Sequence, residues 1–197
     1  MNEQIVLASG NAGKLREFRE ILAIQDVDLR SQAEFGVSSC DETGLSFVEN
    51  ALLKAQNAAR LTGMAAIADD SGIVVDALGG APGIYSARYA GENASDDDNL
   101  QKLVDTFQAS GSNNHACRFI CLIVFITHEK DPLPRIYQGV WEGELIAEPR
   151  GDNGFGYDPI FWVPTHQCTS AELPAEVKNE ISHRGQALRA FANAMTA

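Results

Sequence analysis

The segment IVLASGNAGKLREFREIL, residues 5–22, decides the fold of this chain. Its apolar run at 5–8 ends in the sequence SGNAG at 9–13, which indicates a short strand followed by a tight turn. Apolar side chains then recur at helical spacing, at Leu15, Phe18, Ile21 and Leu22. The segment therefore predicts a strand, a turn and a helix, as in an α/β protein.

The rest of the chain carries further strand and helix signals. Ser46 followed by Glu49 predicts a helix that begins with a capping box. Apolar runs at 65–68 and 73–75 predict two strands that meet at a tight turn, DDSG at 69–72. The apolar stretch 117–127 predicts a central strand that is covered on both faces. Other signals predict a helix after Ser95, strands at 136–141, 143–147 and 160–163, and a helix that ends the chain.

The composition is that of an ordinary folded protein with an acidic balance. The chain has 197 residues, 45% of them hydrophobic, which predicts one domain over residues 1–197 with a substantial core. Its 15 Lys and Arg against 27 Asp and Glu give a net charge of −12, which argues against binding to DNA or RNA. Since the sequence shows no targeting or membrane-spanning pattern and its four cysteines lack metal-site spacing, we predict a cytoplasmic protein with reduced thiols.

The turn at 9–13 and the lysine that follows it suit an anionic ligand. A phosphate is bound well by backbone N–H groups at a helix N-terminus and by a charge such as that of Lys14. The string is not a P-loop, because Ala8 stands where that motif has its first glycine and Leu15 where it has Ser or Thr. A phosphate site and a plain turn with a surface lysine are both open at this point.

Two acidic pairs are candidates for metal binding and catalysis. Asp69 and Asp70 are adjacent, so a regular strand would point them to opposite faces and offer only one of them to a given site. Asp41 and Glu42 form a second pair. Mg²⁺ commonly takes one or two protein carboxylates and completes its octahedron with water and substrate phosphate. The alternatives are a turn that satisfies its own backbone at 69–72 and a solvated acidic loop.

Three further segments carry side chains that suit a nucleotide. The sequence GFGYD at 154–158 offers two aromatic rings for stacking on a base and a carboxylate that could accept from a base N–H. The sequence SHR at 182–184 opens a helix with donors for a keto oxygen or a phosphate. Lys54 faces either solvent or a ligand. Inward-packed aromatic rings and a solvated His-Arg pair are the structural alternatives.

Five segments in order resemble the inosine triphosphate pyrophosphatase family. They are SGNAGKLREF (9–18), ETGLSFVENALLKA (42–55), ADDSGIVVDALGGAPGIYSARYAG (68–91), GFGYDPIF (154–161) and SHRGQAL (182–188). Each is a weak signal alone, whereas five in family order are specific. The resemblance implies an elongated, mixed and twisted β-sheet with flanking helices, two lobes around a central cleft, and usually a homodimer.

The resemblance also implies an activity and its residues. Proteins of this family use Mg²⁺ to hydrolyse ITP, dITP and XTP to the monophosphate and pyrophosphate, which keeps these nucleotides out of DNA and RNA. Asp70 would be the catalytic residue that activates water. Asp41 and Asp70 would bind the metal, with Glu42 as the alternative, because close relatives usually carry the longer Glu at position 41. The triphosphate would be held by Ser9, Gly10, Asn11, Ala12, Gly13 and Lys14 with help from Lys54, and the rest of the nucleotide by Ser71, Phe155, Gly156, Tyr157, Asp158, Lys178, His183 and Arg184.

Two other functions stay open. An aspartyl-nucleophile phosphatase could use the pair Asp69 and Asp70 and release orthophosphate, although its usual Asp-x-Asp arrangement is absent here. A module that binds the triphosphate without cleaving it would use the same side chains. The products separate the three functions, and the sequence does not choose among ITP, dITP and XTP.

Overall fold

The computed structural model describes residues 3–22 and 27–195 and shows a mixed α/β fold. The strands are β1 (Glu3–Leu7), β2 (Val27–Ser31), β3 (Ala65–Val75), β4 (Ala116–Ile126), β5 (Arg135–Leu145), β6 (Phe161–Val163) and β7 (Cys168–Thr169). The α-helices are α1 (Ala12–Leu22), α2 (Phe47–Thr62), α3 (Asp96–Ser110), α4 (Ala175–Ile181) and α5 (His183–Met195). Short 3₁₀ helices lie at Gln32–Phe35, Asp76–Leu78, Gly83–Arg88, Asp158–Ile160 and Ser170–Glu172.

The strands belong to one sheet, in the order β2-β1-β3-β4-β5-β6-β7. The first strand is parallel to β2 and β3, whereas β6 is antiparallel to β5 and β7. The predicted α/β class with a mixed sheet is therefore confirmed. The stretch 117–127, predicted as a central strand, forms most of β4, the middle strand of the order.

The described chain divides into two compact units. Unit 1 comprises the described residues up to Asp70, Cys121–Gly139 and the described residues from Arg184, and unit 2 comprises Ser71–Ile120 and Val140–His183. That the whole chain forms one domain stays a prediction. No helix among the described residues is long and apolar enough to cross a membrane. The four cysteines are free, as predicted.

Unit 1 has helices on both faces of its strands. Successive residues of β1 and β3 alternate between two apolar clusters, because neighbouring side chains of a strand point to opposite faces. The cluster beside α1 and α5 contains Ile5, Leu7, Phe18, Ile67, Leu188 and Phe191. The cluster beside α2 contains Val6, Ala51, Ala55, Ala58, Ala66 and Ala68. This packing fixes which face each residue of β3 takes.

Unit 2 has a core of its own, rich in aromatic side chains. Its aromatic members are Phe107, Phe119, Trp141, Tyr157 and Phe161. The helix α3 begins with a capping box: the Ser95 hydroxyl accepts from the Asp98 amide at 3.1 Å, and the Asp98 carboxylate accepts from the Ser95 amide at 2.9 Å. The helix predicted after Ser95 is therefore confirmed.

The predicted turn at 69–72 is wrong, because β3 runs through it without interruption. Two acidic residues can lie inside a buried strand here because Asp69 pairs with Lys14 and Asp70 pairs with Lys54. Gly72 is needed for close packing. A Cβ atom there would lie 2.4 Å from both the Gly83 carbonyl oxygen and the Ser86 hydroxyl.

The two strands predicted at 136–141 and 143–147 are likewise one strand, β5. Gly143, predicted as the start of the second strand, lies inside β5. A Cβ atom on Gly143 would lie 2.5 Å from the Phe161 ring and 2.6 Å from the Trp162 carbonyl oxygen. This glycine therefore lets β6 approach β5 closely. The strand predicted at 160–163 corresponds to β6.

Candidate active site

The two adjacent aspartates of β3 face different helices, as predicted from strand alternation. Asp70 follows Ala66 and Ala68 on the α2 face, and Asp69 follows Ile67 on the α1 and α5 face. Both side chains are buried, with 7% of Asp70 and 0% of Asp69 exposed. Consecutive residues of one strand thus supply two separate groups of charged side chains in unit 1.

The carboxylate of Asp70 is held by two residues of α2. Lys54 Nζ lies 3.0 Å from Asp70 Oδ1, and Asn50 Nδ2 donates to Asp70 Oδ2 at 3.3 Å. Asn50 and Lys54 are one helical turn apart, so they lie on the same face of α2. Lys54 Nζ also donates to Glu42 Oε1 at 2.8 Å. One ammonium group therefore lies between two carboxylates from separate segments.

The start of α2 fixes this arrangement. The Ser46 hydroxyl accepts from the Glu49 amide at 3.4 Å, and the Glu49 carboxylate accepts from the Leu45 amide at 2.9 Å. The predicted cap therefore forms. The Glu49 carboxylate accepts from the amide of Leu45, whereas in a standard capping box it would accept from the amide of the N-cap residue, Ser46. The Gly44 amide donates to Asn50 Oδ1 at 2.8 Å, so the loop that carries Glu42 is tied to the helix.

The charges around Asp70 favour a reactive carboxyl group. Burial, together with the charge of Glu42, raises the pKa of Asp70 above its ordinary value, although Lys54 opposes the shift. Burial lowers the pKa of Lys54, but the nearby carboxylates outweigh it and raise that pKa to about 12. Lys54 thus stays charged, and Asp70 has a higher proton affinity than an exposed aspartate. A raised carboxyl pKa suits a general base.

The structure places the two acidic candidates at 41 and 42 in different surroundings. Glu42 contacts Lys54, and through it the Asp70 group. Asp41 lines an open pocket of about 600 Å³ with Cys40, Arg60 and Lys130 among its other lining residues. Asp41 as a metal ligand stays a prediction, and the geometry favours Glu42.

The carboxylate of Asp69 lies among a second set of ions. Lys14 Nζ lies 2.9 Å from Asp69 Oδ2, and one Arg184 nitrogen lies 3.4 Å from the same oxygen. A second Arg184 nitrogen pairs with Glu17. Burial raises the pKa of Asp69, but Lys14 and Arg184 outweigh it, so the net pKa is lowered and the carboxylate stays charged.

The turn predicted to bind phosphate leads into α1 and is accessible. Asn11 Oδ1 accepts from the Lys14 amide at 3.0 Å, and Ser9 Oγ accepts from the Asn11 amide at 3.2 Å. Gly10, Asn11 and Ala12 are exposed. A helix N-terminus with an accessible backbone and a nearby ammonium can bind an anion.

In unit 2, Asp158 organises the loop at 154–158. Its carboxylate accepts from the Phe155 amide at 2.8 Å, from the Ser170 hydroxyl at 2.7 Å and from Lys178 Nζ at 2.6 Å. A Cβ atom on Gly154 would lie 2.1 Å from Asp158 Oδ2. Asp158 therefore accepts from three donors of its own unit, and these bonds hold the loop and Lys178 in place.

The two aromatic rings of this loop differ in their surroundings. Tyr157 is 5% exposed, and its hydroxyl donates to the Ser86 carbonyl oxygen at 2.7 Å. Phe155 is half-buried, and Lys178 Nζ lies 5.3 Å from its ring centroid. The Gly156 amide donates to Asp96 Oδ2 at 3.0 Å. Phe155 is therefore the ring that suits stacking, and the sequence alone offered both.

The remaining predicted residues are also placed. His183 is 5% exposed, and its ring stacks on that of Phe119 at a centroid distance of 4.8 Å and an angle of 12°. Arg184 is 3% exposed, so the alternative of a solvated His-Arg pair is wrong. Ser71 is half-buried and follows Asp70 directly. Sequence reasoning missed Glu17, Asn50 and Asp96, although Asn50 lies one helical turn from Lys54 and this spacing could have indicated it.

Comparison with known proteins identifies the class to which this fold and these residues belong. The chain belongs to the Ham1 family, whose pattern it matches over residues 5–194.

Among curated proteins, it is similar to a dITP/XTP pyrophosphatase of Photorhabdus laumondii, with 54% identity over 187 residues and 95% of each chain covered. It is also similar to a dITP/XTP pyrophosphatase of Escherichia coli K12, with 51% identity over 193 residues and 98% of each chain covered. Among solved structures, a HAM1 protein from Coxiella burnetii has a TM-score of 0.93 and 50% identity, with 98% of each chain covered. A dITP/XTP pyrophosphatase from Mycobacterium abscessus has a TM-score of 0.75 and 38% identity, with 95% of this chain and 98% of that one covered.

Proposed function

We propose that this protein hydrolyses ITP, dITP and XTP between the α and β phosphates. The products would be the nucleoside monophosphate and pyrophosphate, and the reaction would remove these nucleotides from the pool that supplies DNA and RNA. The observation that carries the proposal is the buried Asp70 carboxylate, held by Asn50 and by Lys54, beside Glu42. The names of relatives more than 50% identical over nearly the whole chain support it.

The catalytic step would depend on Asp70. With its pKa raised by burial, Asp70 would orient a water molecule and accept its proton as the water attacks phosphorus. The ammonium groups of Lys14 and Lys54 would stabilise negative charge on the phosphates. In phosphoryl transfer, positioning and electrostatic stabilisation supply most of the catalysis.

A divalent metal fits the same residues. Glu42 and Asp70 already share one cation, the Lys54 ammonium. Their carboxylate oxygens are the ligands that a hard cation such as Mg²⁺ prefers. Among the described residues no group of three or more His, Cys, Asp or Glu could hold a metal, so water and substrate phosphate would have to supply the other ligands. Glu42 and Asp70 would hold the ion, with Asp41 as the alternative to Glu42. When bound, Mg²⁺ would neutralise phosphate charge.

Recognition of the purine would rest on hydrogen-bond donors. Arg184 carries five N–H donors in a planar fork, which suits hydrogen bonding to a 6-keto oxygen. Adenine presents an amino group at that position, so a donor would face a donor at a cost of about 1–3 kcal/mol. Phe155, on the loop at 154–158, and Lys178, on α4, would also contact the nucleotide.

We propose further that the protein is a cytoplasmic homodimer that uses Mg²⁺. The homodimer rests on the resemblance to a family whose members are usually dimers, and sedimentation equilibrium tests it. The four free cysteines support a reducing compartment. Activity with Mg²⁺, Mn²⁺ and no metal, measured after treatment with a chelator, tests the metal.

The deciding experiment identifies the products. The protein is incubated with Mg²⁺ and, separately, with ITP, XTP, dITP, ATP and GTP, and the nucleotides and phosphates are resolved. Monophosphate and pyrophosphate from the first three, with ATP and GTP largely spared, would support the proposal. Asp70→Asn should abolish turnover in a folded protein, whereas Asp152→Asn, on an exposed loop, should leave it unchanged. Orthophosphate would indicate a phosphatase, and binding without cleavage a sensing module.

A further inference from the structure

We propose that Asp69 is a positioning residue that holds Lys14 and Arg184 at one carboxylate and so couples phosphate binding to base selection. The inference deepens the proposed function and rests on it, because it takes Lys14 as a phosphate ligand and Arg184 as a base ligand. It concerns unit 1 alone.

The geometry places Asp69 between the two cations. Lys14 lies in the first turn of α1 and Arg184 in the first turn of α5, two helices that pack on the same face of the sheet. Asp69 Oδ2 lies 2.9 Å from Lys14 Nζ and 3.4 Å from an Arg184 nitrogen. One carboxylate oxygen therefore joins the starts of both helices to β3.

The charges explain why a carboxylate is needed at this place. The side chains of Asp69 and Arg184 are 0% and 4% exposed, and that of Lys14 is 16% exposed. Two cations this close repel each other, and water screens them poorly at this burial. Asp69 and Glu17 carry two negative charges and Lys14 and Arg184 carry two positive charges, so these four side chains are formally neutral together. Without the Asp69 charge, the Lys14 ammonium would be free to move from Arg184 toward solvent.

Glu17 provides an internal comparison. It lies one helical turn after Lys14 on α1 and pairs with Arg184. Among the described residues, the ion pair of Lys14 is with Asp69. Loss of the Glu17 charge should therefore affect Arg184 with little effect on Lys14, whereas loss of the Asp69 charge should affect both. A role in general stability would not produce this division.

The sign of the effect on phosphate binding separates positioning from simple electrostatics. Removing a negative charge beside Lys14 makes the region more positive, so electrostatics alone predicts tighter binding of an anion. Positioning predicts the opposite, because the ammonium is no longer held where the phosphate needs it.

The test uses the intact protein with inorganic pyrophosphate, bound in the absence of nucleotide and measured by calorimetry, and with ITP and ATP as substrates. Asp69→Asn should weaken pyrophosphate binding at least about fivefold and narrow the preference for ITP over ATP by a similar factor. Glu17→Gln should narrow the preference for ITP over ATP and leave the affinity for pyrophosphate unchanged. Unchanged or tighter pyrophosphate binding in Asp69→Asn would overturn the inference.

A second pair of variants tests the coupling with the charges balanced. Lys14→Met removes the phosphate ligand, and the double variant with Asp69→Asn restores neutrality, so it should fold even if Asp69→Asn alone does not. If Asp69 acts through Lys14, adding Asp69→Asn to Lys14→Met should not weaken pyrophosphate binding further. If Asp69→Asn weakened pyrophosphate binding as much in the Lys14→Met variant as it does in the parent protein, the inference would be contradicted.

The inference and the proposed function fail in different ways. A parent protein that cleaves none of the nucleotides refutes the proposed function, and the pyrophosphate measurements still decide whether Asp69 positions Lys14. A parent protein that cleaves ITP, with Asp69→Asn equal to it in both measurements, refutes the inference alone.

Discussion

Replacement of Asn50 by alanine should destabilise unit 1 strongly, because this side chain hydrogen-bonds the buried Asp70 carboxylate and the half-buried Gly44 amide at once. Asn50 is 0% exposed. Its Nδ2 donates to Asp70 Oδ2 at 3.3 Å, and its Oδ1 accepts from the Gly44 amide at 2.8 Å. The second bond fixes the orientation of the side-chain amide, since only its oxygen can accept from a backbone N–H.

The size of the effect follows from the groups that Asn50→Ala leaves without a partner. Leaving the buried Asp70 oxygen unsatisfied costs about 1–3 kcal/mol, and losing the hydrogen bond of the half-buried Gly44 amide costs about 0.5–1.5 kcal/mol. The two together give a loss of about 1.5–4.5 kcal/mol in the free energy of unfolding. For a protein of this size, each kcal/mol corresponds to a fall of about 2–4 °C in Tm. The loss is large beside the total stability of about 5–15 kcal/mol that is usual for folded proteins.

Urea unfolding followed by circular dichroism measures the loss directly, and Asn57→Ala on the same helix is the matched control. Asn57 is partly exposed, and its Nδ2 donates to the Ser38 carbonyl oxygen at 3.3 Å. Its removal should cost no more than about 0.5–1 kcal/mol, because water can replace the partner. Equal losses for the two alanine variants would refute the assignment of Asn50 as a buried link between Asp70 and the loop at Gly44.

Three further predictions test other parts of the chain. Arg184→Ala should raise KM for ITP and narrow the preference for ITP over ATP in steady-state kinetics; unchanged discrimination would remove Arg184 from base recognition. Gly154→Ala should raise KM and lower Tm more than Gly111→Ala does, because both glycines have positive φ (82° and 62°) but only the Cβ at 154 would meet a neighbour, Asp158 Oδ2. Hydrogen bonds from Thr127 and Leu133 lower the pKa of Asp131 from 3.8 to about 2. Its contribution to stability is therefore complete above pH 3.8 and is lost as the pH falls through about 2, so Asp131→Asn should lower Tm near pH 6 and not below pH 2.

The sequence predicted the type of most elements but divided two long strands, β3 and β5, into shorter ones. Gly143 and the Asp69-Asp70 pair carry the statistical signature of turns, yet both lie inside strands. Their tertiary partners explain the difference: a ring and a carbonyl oxygen fill the space beside Gly143, and cations neutralise the two carboxylates. Local sequence contains neither kind of partner.

Two elements are too short to give a clear signal in the sequence. The strand β2 has the sequence VDLRS, in which Val27 and Leu29 alternate with polar residues over only five positions and are partly buried. The helix α4 has seven residues, AEVKNEI, and is too short to show a clear apolar stripe.

The candidate site shows the same limit. Strand alternation predicted that Asp69 and Asp70 would separate, and the contacts confirm it. The sequence could not show that Glu42 contacts Lys54, since the bond spans 12 positions and depends on how the loop before α2 folds back. It could not show that Arg184 is buried either, because its acidic partners Glu17 and Asp69 lie 167 and 115 positions away in the chain.

Because side chains alternate between the two faces of β3, the placement of Asp69 and Asp70 depends on the register of this strand. The pairing of β3 with β1 matches Ile5 to Ala65 and Leu7 to Ile67. A slip or deletion of one residue before Asp69 would send each aspartate to the opposite face. Asp70 would then meet Lys14 and Arg184, while Lys54 on α2 would lose the carboxylate of Asp70. Length changes in this strand should therefore be far more damaging than substitutions in its apolar residues. A single-residue deletion in β3 would therefore change the charge on both faces of the strand at the candidate active site.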